Sequence, residues 1–161
     1  MGFKSIIFTP EESLKWLEKN NAKGIIFSGG SASVYDIDAP KIPKEILNLN
    51  IPILGICFGM QWLAYEYDKN SVHAVKEGKS YDPVEINFVQ NIKSVLFENL
   101  KEKINAWSSH GDSVNNVPAG FQVIATSKNG SVIEAMENTE KKFYGVQFHP
   151  EFEQTEDENI I

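Results

Sequence analysis

Cysteine is almost missing from this chain: among 161 residues only Cys57 occurs, so no internal disulfide can form. Long hydrophobic runs are missing too, since none approaches the ~20 residues that a membrane span requires. The N-terminus lacks a signal-peptide pattern, and the three absences together lead us to expect a cytoplasmic protein without membrane contact. Positive charge is in short supply: 15 Lys and Arg face 22 Asp and Glu, a formal charge of −7. With no basic cluster to meet a phosphate backbone, nucleic acid is not an expected partner. Histidine is scarce as well. Neither His73, His110 nor His149 pairs with Cys57 or a carboxylate at structural zinc spacing, so no metal site is expected. Internal repeats, low-complexity tracts and linkers are also lacking.

What is present suffices for one globular domain with a real core, since 42% of the residues are hydrophobic. We read residues 1–161 as that single domain. The stretch "KSIIF" reads as a short strand. "TPEESLKWLEKN" comes next as a helix with Thr9 at the N-cap, Pro10 at N1 and Glu12 at N3 in a capping box. "KGIIFSGG" is a short apolar run ending in glycines, "PKEILNLN" a short helix, and "IPILGI" a continuous apolar strand of the kind buried on both faces. This alternation predicts a parallel sheet flanked by helices, an α/β fold. After Cys57, the spacing of Met60, Leu63, Ala64 and Tyr67 follows i, i+3, i+4, i+7, so a helix leaves the strand at the cysteine. Residues 68–82 are polar and read as loop. "VEINFV", "FQVIAT", "SVIEAM" and "KFYGVQF" then make the second half strand-rich, with Asn129-Gly130 and "ENTEK" as turns. The acidic end "EQTEDE" reads as solvated.

Chemistry concentrates where the apolar strand ends. In "ILGICFGMQ" glycines stand two before and two after the cysteine, Gly55 and Gly59, which is the pattern of a nucleophile elbow. A thiol at a helix N-terminus meets exposed N–H groups and a favourable dipole, which can lower its pKa from about 8.5 to ~3.5–7.5. The plainer reading of a lone cysteine is a small buried hydrophobe. A thiolate needs a base, and "GVQFHPEF" supplies His149 with Glu151 two residues on. Pro150 stiffens the link, so that a carboxylate can orient the ring. The three residues fit triad logic: Cys57 attacks, His149 moves the proton, Glu151 holds the imidazole.

Four blocks, "GIIFSGGSASVYDIDAP", "PILGICFGMQWLA", "WSSHGDSV" and "FYGVQFHPEF", resemble the class I (triad-type) glutamine amidotransferase domains in the family's own order. The "SHGD" and "SGGxASVYD…AP" patterns are most similar to the glutaminases of GMP synthetases. The resemblance implies a flavodoxin-like, mostly parallel sheet flanked by helices. It also implies hydrolysis of the side-chain amide of L-glutamine through a γ-glutamyl thioester, with no cofactor. It assigns the oxyanion hole to the backbone N–H groups of Gly30 and Phe58, and substrate binding to Gly29, Gln61, Ser109, His110 and Asp112. His73 receives no role. "SGGSAS" superficially looks like a phosphate loop, but Ala32 stands where that loop has Asp, so no ATP site is read here. The ammonia would pass to a separate ATP-dependent synthetase subunit.

The chain departs from the family pattern in places. "MGFKSIIFTPEE" aligns with the segment after the family's first β–α unit, so that unit has no counterpart here, and "EFEQTEDENII" enters only the first turn of the family's last helix. The domain is therefore expected to be short at both ends: either the chain is an incomplete domain, or the missing strand is replaced by a partner or by self-association. Ser31 replaces the usual proline after Gly-Gly, and no Gly-Gly pair succeeds the cysteine helix at "YDKNSV". Two other readings remain open: a γ-glutamyl hydrolase acting on another γ-glutamyl compound, and a binding or regulatory module without catalysis.

Overall fold

The computed structural model describes residues 4–75, 80–98, 100, 102–153 and 155. In chain order its elements are helix α1 (Pro10–Leu17), strands β1 (Ile25–Phe27) and β2 (Ile53–Ile56), and helix α2 (Phe58–Tyr67). Strands β3 (Val72–Ala74), β4 (Ser80–Phe88), β5 (Lys103–His110) and β6 (Asp112–Val114) come next, then β7 (Gln122–Ser127), β8 (Val132–Asn138) and β9 (Phe143–Val146). The class is α/β. A 7-stranded sheet has the order β1-β2-β9-β8-β7-β4-β5, and β3 pairs with β6 in a small second sheet.

Parallel pairing is confined to β1, β2 and β9; the remaining neighbours, from β9 to β5, run antiparallel. The sheet is thus mixed. All four residues of β2 are buried, as expected of a parallel strand with a neighbour on either side and cover on both faces. Hairpins make the antiparallel part. Between β7 and β8 the chain reverses through Lys128–Gly130, where Asn129 (φ 58°, ψ 35°) and Gly130 (φ 87°) take the left-handed conformations that their residue types tolerate best.

Apolar side chains form a core on each face of the sheet. One gathers Phe58, Met60, Trp62, Leu63 and Ala64 from α2 with Phe27, Ile46, Val72, Phe121 and Phe143; the other gathers Leu54, Ile56, Ile86, Ile104, Ile124, Val146 and Phe148. Residues 58–64 of α2 are buried without exception, so its first two turns are enclosed on all sides rather than amphipathic.

Several local readings need correction. "KSIIF" forms no strand: Ile7 is 96% exposed, and a strand without a ladder partner leaves its backbone groups unpaired. The capping box closes differently from the expected backbone bonds, because the Thr9 hydroxyl donates to the Glu12 carboxylate at 3.0 Å. Residues 68–82 contain β3 and the start of β4, whose ladders form with partners distant in sequence; residues 76–79 lie outside the described ones. β5 was not among the expected strands, although its burial alternates from Lys103 to Ser108. In the acidic tail Thr155 is buried, while residues 154 and 156–158 lie outside the described residues.

Candidate active site

Cys57 stands between β2 and α2 with φ 50° and ψ −104°, a conformation that costs a non-glycine residue on the order of 1–3 kcal/mol. The fold holds it there. Its N–H donates to the Val146 carbonyl on β9 at 2.8 Å, and its own carbonyl accepts from Gln61 N–H in the first turn of α2 at 3.1 Å. The flanking glycines permit the turn by close approach: a Cβ on Gly59 would run into the carbonyl of Phe27, and one on Gly55 into the carbonyl of Gly59. The spacing seen in the sequence is therefore a contact, strand to helix to neighbouring strand.

The thiol sits in a cavity of about 540 Å³ lined by residues that include Gly30, Gln61, Trp107, Ser109, His110, Asp112 and His149. Its hydrogen points to the Ser109 carbonyl, 3.7 Å from the sulfur. Burial pushes the Cys57 thiol up to about 11, against the backbone N–H groups of Phe58 and Gly30 and the side chain of Gln147, which favour thiolate. This reverses the expectation of a depressed thiol pKa. The helix N-terminus does act in the expected direction, but withdrawal of the sulfur from water outweighs it.

His149 approaches from the segment after β9. Its Nδ1 lies 2.7 Å from Glu151 Oε1, which fixes Nδ1–H as the donor and turns Nε2 into the free acceptor. Gly29 fills the narrow space beside it: a Cβ there would lie 2.9 Å from His149 Cε1 and 3.6 Å from Cys57 Cβ. Gly29 thus keeps the passage between Cys57 and His149 open. The backbone of His149 is tied to β5, donating its N–H to the Trp107 carbonyl at 2.9 Å.

The remaining expected site residues gather on the far wall. Gln61 is buried and donates to the Asp112 carbonyl at 2.9 Å and to Gln147 Oε1 at 3.2 Å. His110 Nδ1–H donates to the Asp112 carbonyl at 2.9 Å, and burial lowers the pKa of the ring, keeping it neutral. The Asp112 carboxylate accepts from the Tyr35 hydroxyl at 2.7 Å. His73 lies on β3, exposed, with Nε2 against the Asn70 carbonyl, and does not line the cavity. Among the described residues no group of three or more His, Cys, Asp or Glu could hold a metal ion, and no helix is long and apolar enough to cross a membrane.

Residue patterns missed four contributors. Tyr35 and Gln147 sit inside blocks already singled out, where a polar side chain near the motif was the available signal. Phe152 stacks edge-on against His149 with ring centres 5.4 Å apart. Thr155 carried no signal. Its hydroxyl donates to the His149 carbonyl at 2.7 Å and accepts from the Trp107 N–H at 3.1 Å, pinning the segment that carries His149 to β5.

The class-I glutamine amidotransferase family model matches residues 1–161. The chain belongs to that family. It is 49% identical over 160 residues to the glutamine-hydrolysing GMP synthase of Ligilactobacillus salivarius, covering 99% of this chain and 30% of that protein. Against the enzyme of the same description from Clostridium botulinum it is 43% identical over 143 residues, covering 89% of this chain and 27% of the relative. The chain therefore spans under a third of these curated relatives. Among solved structures, a glutamine amidotransferase from Thermotoga maritima superposes with a TM-score of 0.66 at 26% identity, covering 80% of this chain and 56% of that one. A candidate GMP synthase subunit from Thermoplasma acidophilum gives 0.69 at 26% identity, covering 86% and 68%. Amidotransferase membership accounts for the combination of elbow, Gly-Gly loop and His-Pro-Glu segment around one cavity.

Proposed function

We propose that the chain is a glutaminase that hydrolyses the side-chain amide of L-glutamine, the ammonia serving a GMP synthetase-type reaction. One observation carries the reading: a strained cysteine and a carboxylate-held histidine line the same cavity, separated by a glycine whose Cβ would touch both. His149 Nε2 takes the thiol proton as the sulfur attacks the amide carbon, so the S–C bond forms while the carbonyl π pair moves to oxygen. Collapse of that oxyanion breaks the C–N bond, the proton on His149 goes to nitrogen, and ammonia leaves. Water, deprotonated by the same nitrogen, then cleaves the thioester to glutamate and restores the thiol.

Burial pushes the thiol up to about 11, which favours a mechanism in which His149 removes the proton as the sulfur attacks. The N–H groups of Gly30 and Phe58, which already favour negative charge on the sulfur, are the donors for the oxyanion. Gln61, Ser109, His110 and Asp112, with Gly29, present the polar wall for the amino and carboxylate ends of the substrate. The ATP-dependent step belongs to a separate synthetase part, matching the length by which the GMP synthase relatives exceed this chain. The setting is cytoplasmic, and residues 1–161 act as one amidotransferase domain. Strand β1 lies at the sheet edge with Ile26 exposed, which supports pairing with a further strand from a partner or a second copy.

The test is glutamate release from free glutamine by purified protein, alone and with a GMP synthetase ATP-dependent domain, with Cys57→Ala as control. Turnover in the wild type that the substitution removes is the expected result. Turnover of another γ-glutamyl amide with glutamine ignored would overturn the substrate assignment, and equal silence under both conditions would overturn the enzymatic reading.

A further inference from the structure

Gln147 comes directly after β9 and has no measurable exposure. Its backbone N–H donates to the Glu134 carbonyl on β8 at 2.8 Å, while the neighbouring Val146 carbonyl receives the Cys57 N–H. Residue 147 therefore enters the core at the level of the nucleophile. Its side-chain oxygen accepts from Gln61 Nε2, which also donates to the Asp112 carbonyl. That bond decides how the Gln147 amide is turned, because an oxygen facing Gln61 leaves the NH2 group on the other side. The NH2 nitrogen is buried and closes no hydrogen bond of ordinary geometry.

A buried amide donor without a partner costs roughly 1–3 kcal/mol. The Gln61 amide in contact with Gln147 is, by contrast, used on both the Asp112 and Gln147 sides. Cys57 and Gln147 each directly follow the Ile56–Val146 pair of the parallel β2–β9 ladder and so stand side by side, and the Gln147 side chain favours the ionised form of the sulfur. A neutral thiol is a weak acceptor; a thiolate is a strong one and would draw the N–H group into a full bond.

We infer that Gln147 is a catalytic residue whose buried side-chain N–H is held in reserve for the Cys57 thiolate, aimed there by Gln61. The donor stays unpaired while the thiol is protonated and pairs when His149 withdraws the proton. It therefore stabilises the charged nucleophile more than the resting one, which is the condition for lowering the barrier to attack. Gln61 then has two duties: it faces the cavity, and through its second N–H it keeps the Gln147 amide from flipping.

The inference rests on Cys57 being the nucleophile, and its test reads that thiol without substrate. Cys57 is the sole cysteine, so iodoacetamide uptake followed by mass spectrometry reports on it alone. In Gln147→Met, which keeps the side-chain volume and removes the donor, the alkylation rate at pH 8 to 9 is expected to fall about tenfold, the effect of losing one hydrogen bond to a charged group. Gln147→Glu, which replaces the donor by an acceptor, should fall further, and both should lose glutamine turnover in kcat more than in KM. Unchanged alkylation in either folded variant would overturn the inference. Should neither variant fold, the side-chain 15N–H resonances of Gln147 in the wild type decide it: they must follow the thiol titration, and their failure to move would overturn it equally. Loss of alkylation in the variants with no glutamine turnover in the wild type would count against the glutaminase reading and leave Gln147 assigned to the thiolate.

Discussion

The parallel and antiparallel parts of the sheet hold the site by different means. On the parallel side, β1, β2, β9 and the buried start of α2 fix Cys57 through backbone contacts: glycine against carbonyl, and amide to the neighbouring strand. On the antiparallel side, β5, β7 and β8 carry buried polar side chains, with Ser127 donating to Glu134 at 2.7 Å and Ser94 to Glu137 at 2.7 Å. One side tolerates no extra atoms; the other buries polar side chains, some of them paired and some, such as Ser108 Oγ and Glu134 Oε2, without a partner. Between them β5 lies at the sheet edge opposite β1, with β8, β7 and β4 separating it from β9, yet Trp107 pairs with His149 just beyond β9. The sheet must curl for this to occur, and the cavity is the seam where it closes on itself.

Substitutions on either side sharpen that contrast. The largest effect belongs to the seam itself: His149→Asn should cut glutamine turnover by roughly 10²–10⁴-fold, the usual contribution of a positioned base. Its melting temperature should stay near the wild-type value, and a large drop in melting temperature would show the ring to be structural. Gly59→Ala attacks the parallel side, where the new methyl collides with the Phe27 carbonyl. It should cost at least about 2–3 kcal/mol in urea unfolding. The paired control is Gly130→Ala in the β7–β8 turn, where a Cβ meets nothing within 4 Å but φ is 87°. Strain alone should limit that loss to about 1–2 kcal/mol, and equal losses at the two glycines would erase the difference between the halves.

Thr155→Val tests the pin between His149 and Trp107. Two hydrogen bonds disappear with little change in volume, so a loss of ~1–2 kcal/mol is expected. Turnover should decline with it, while Cys57 alkylation in the absence of substrate should hold, because the thiol is positioned from the parallel side.

The smallest effect is at Glu134, whose pKa burial raises, against the Ser127 hydroxyl and Lys128. The folded chain holds that proton more tightly than the unfolded one, so the associated stability is present below the ordinary glutamate range and is lost as pH rises through the folded-state value. Glu134→Gln should melt with the wild type near pH 4 and above it at pH 8. A difference that is the same at both values would show that the carboxyl does not titrate with folding.

The parts of the fold that were legible are those built from near neighbours in the chain. The apolar run at Ile53–Ile56, the helix leaving at Cys57 and the Asn129-Gly130 turn each follow from local chemistry, and each is where it was expected. β3 was not legible, because Val72–Ala74 pairs with Asp112–Val114, far away in sequence. "KSIIF" misled for the opposite reason, having strand-forming residues and no ladder partner. At the site, Cys57, His149 and Glu151 stood out through spacing, whereas Thr155 acts through one hydroxyl in an otherwise acidic stretch.

The sequence by itself determined the elbow, the His-Pro-Glu segment and the family, because these rest on glycine size, proline stiffness and short-range periodicity. The tertiary structure alone decided that the sheet is mixed and curled, that Trp107 and Thr155 clamp the His149 segment, and that burial pushes the Cys57 thiol up. The last point has a simple cause. A helix N-terminus acts over the first turn of its own chain, whereas removal of the sulfur from water depends on what the rest of the molecule places around it.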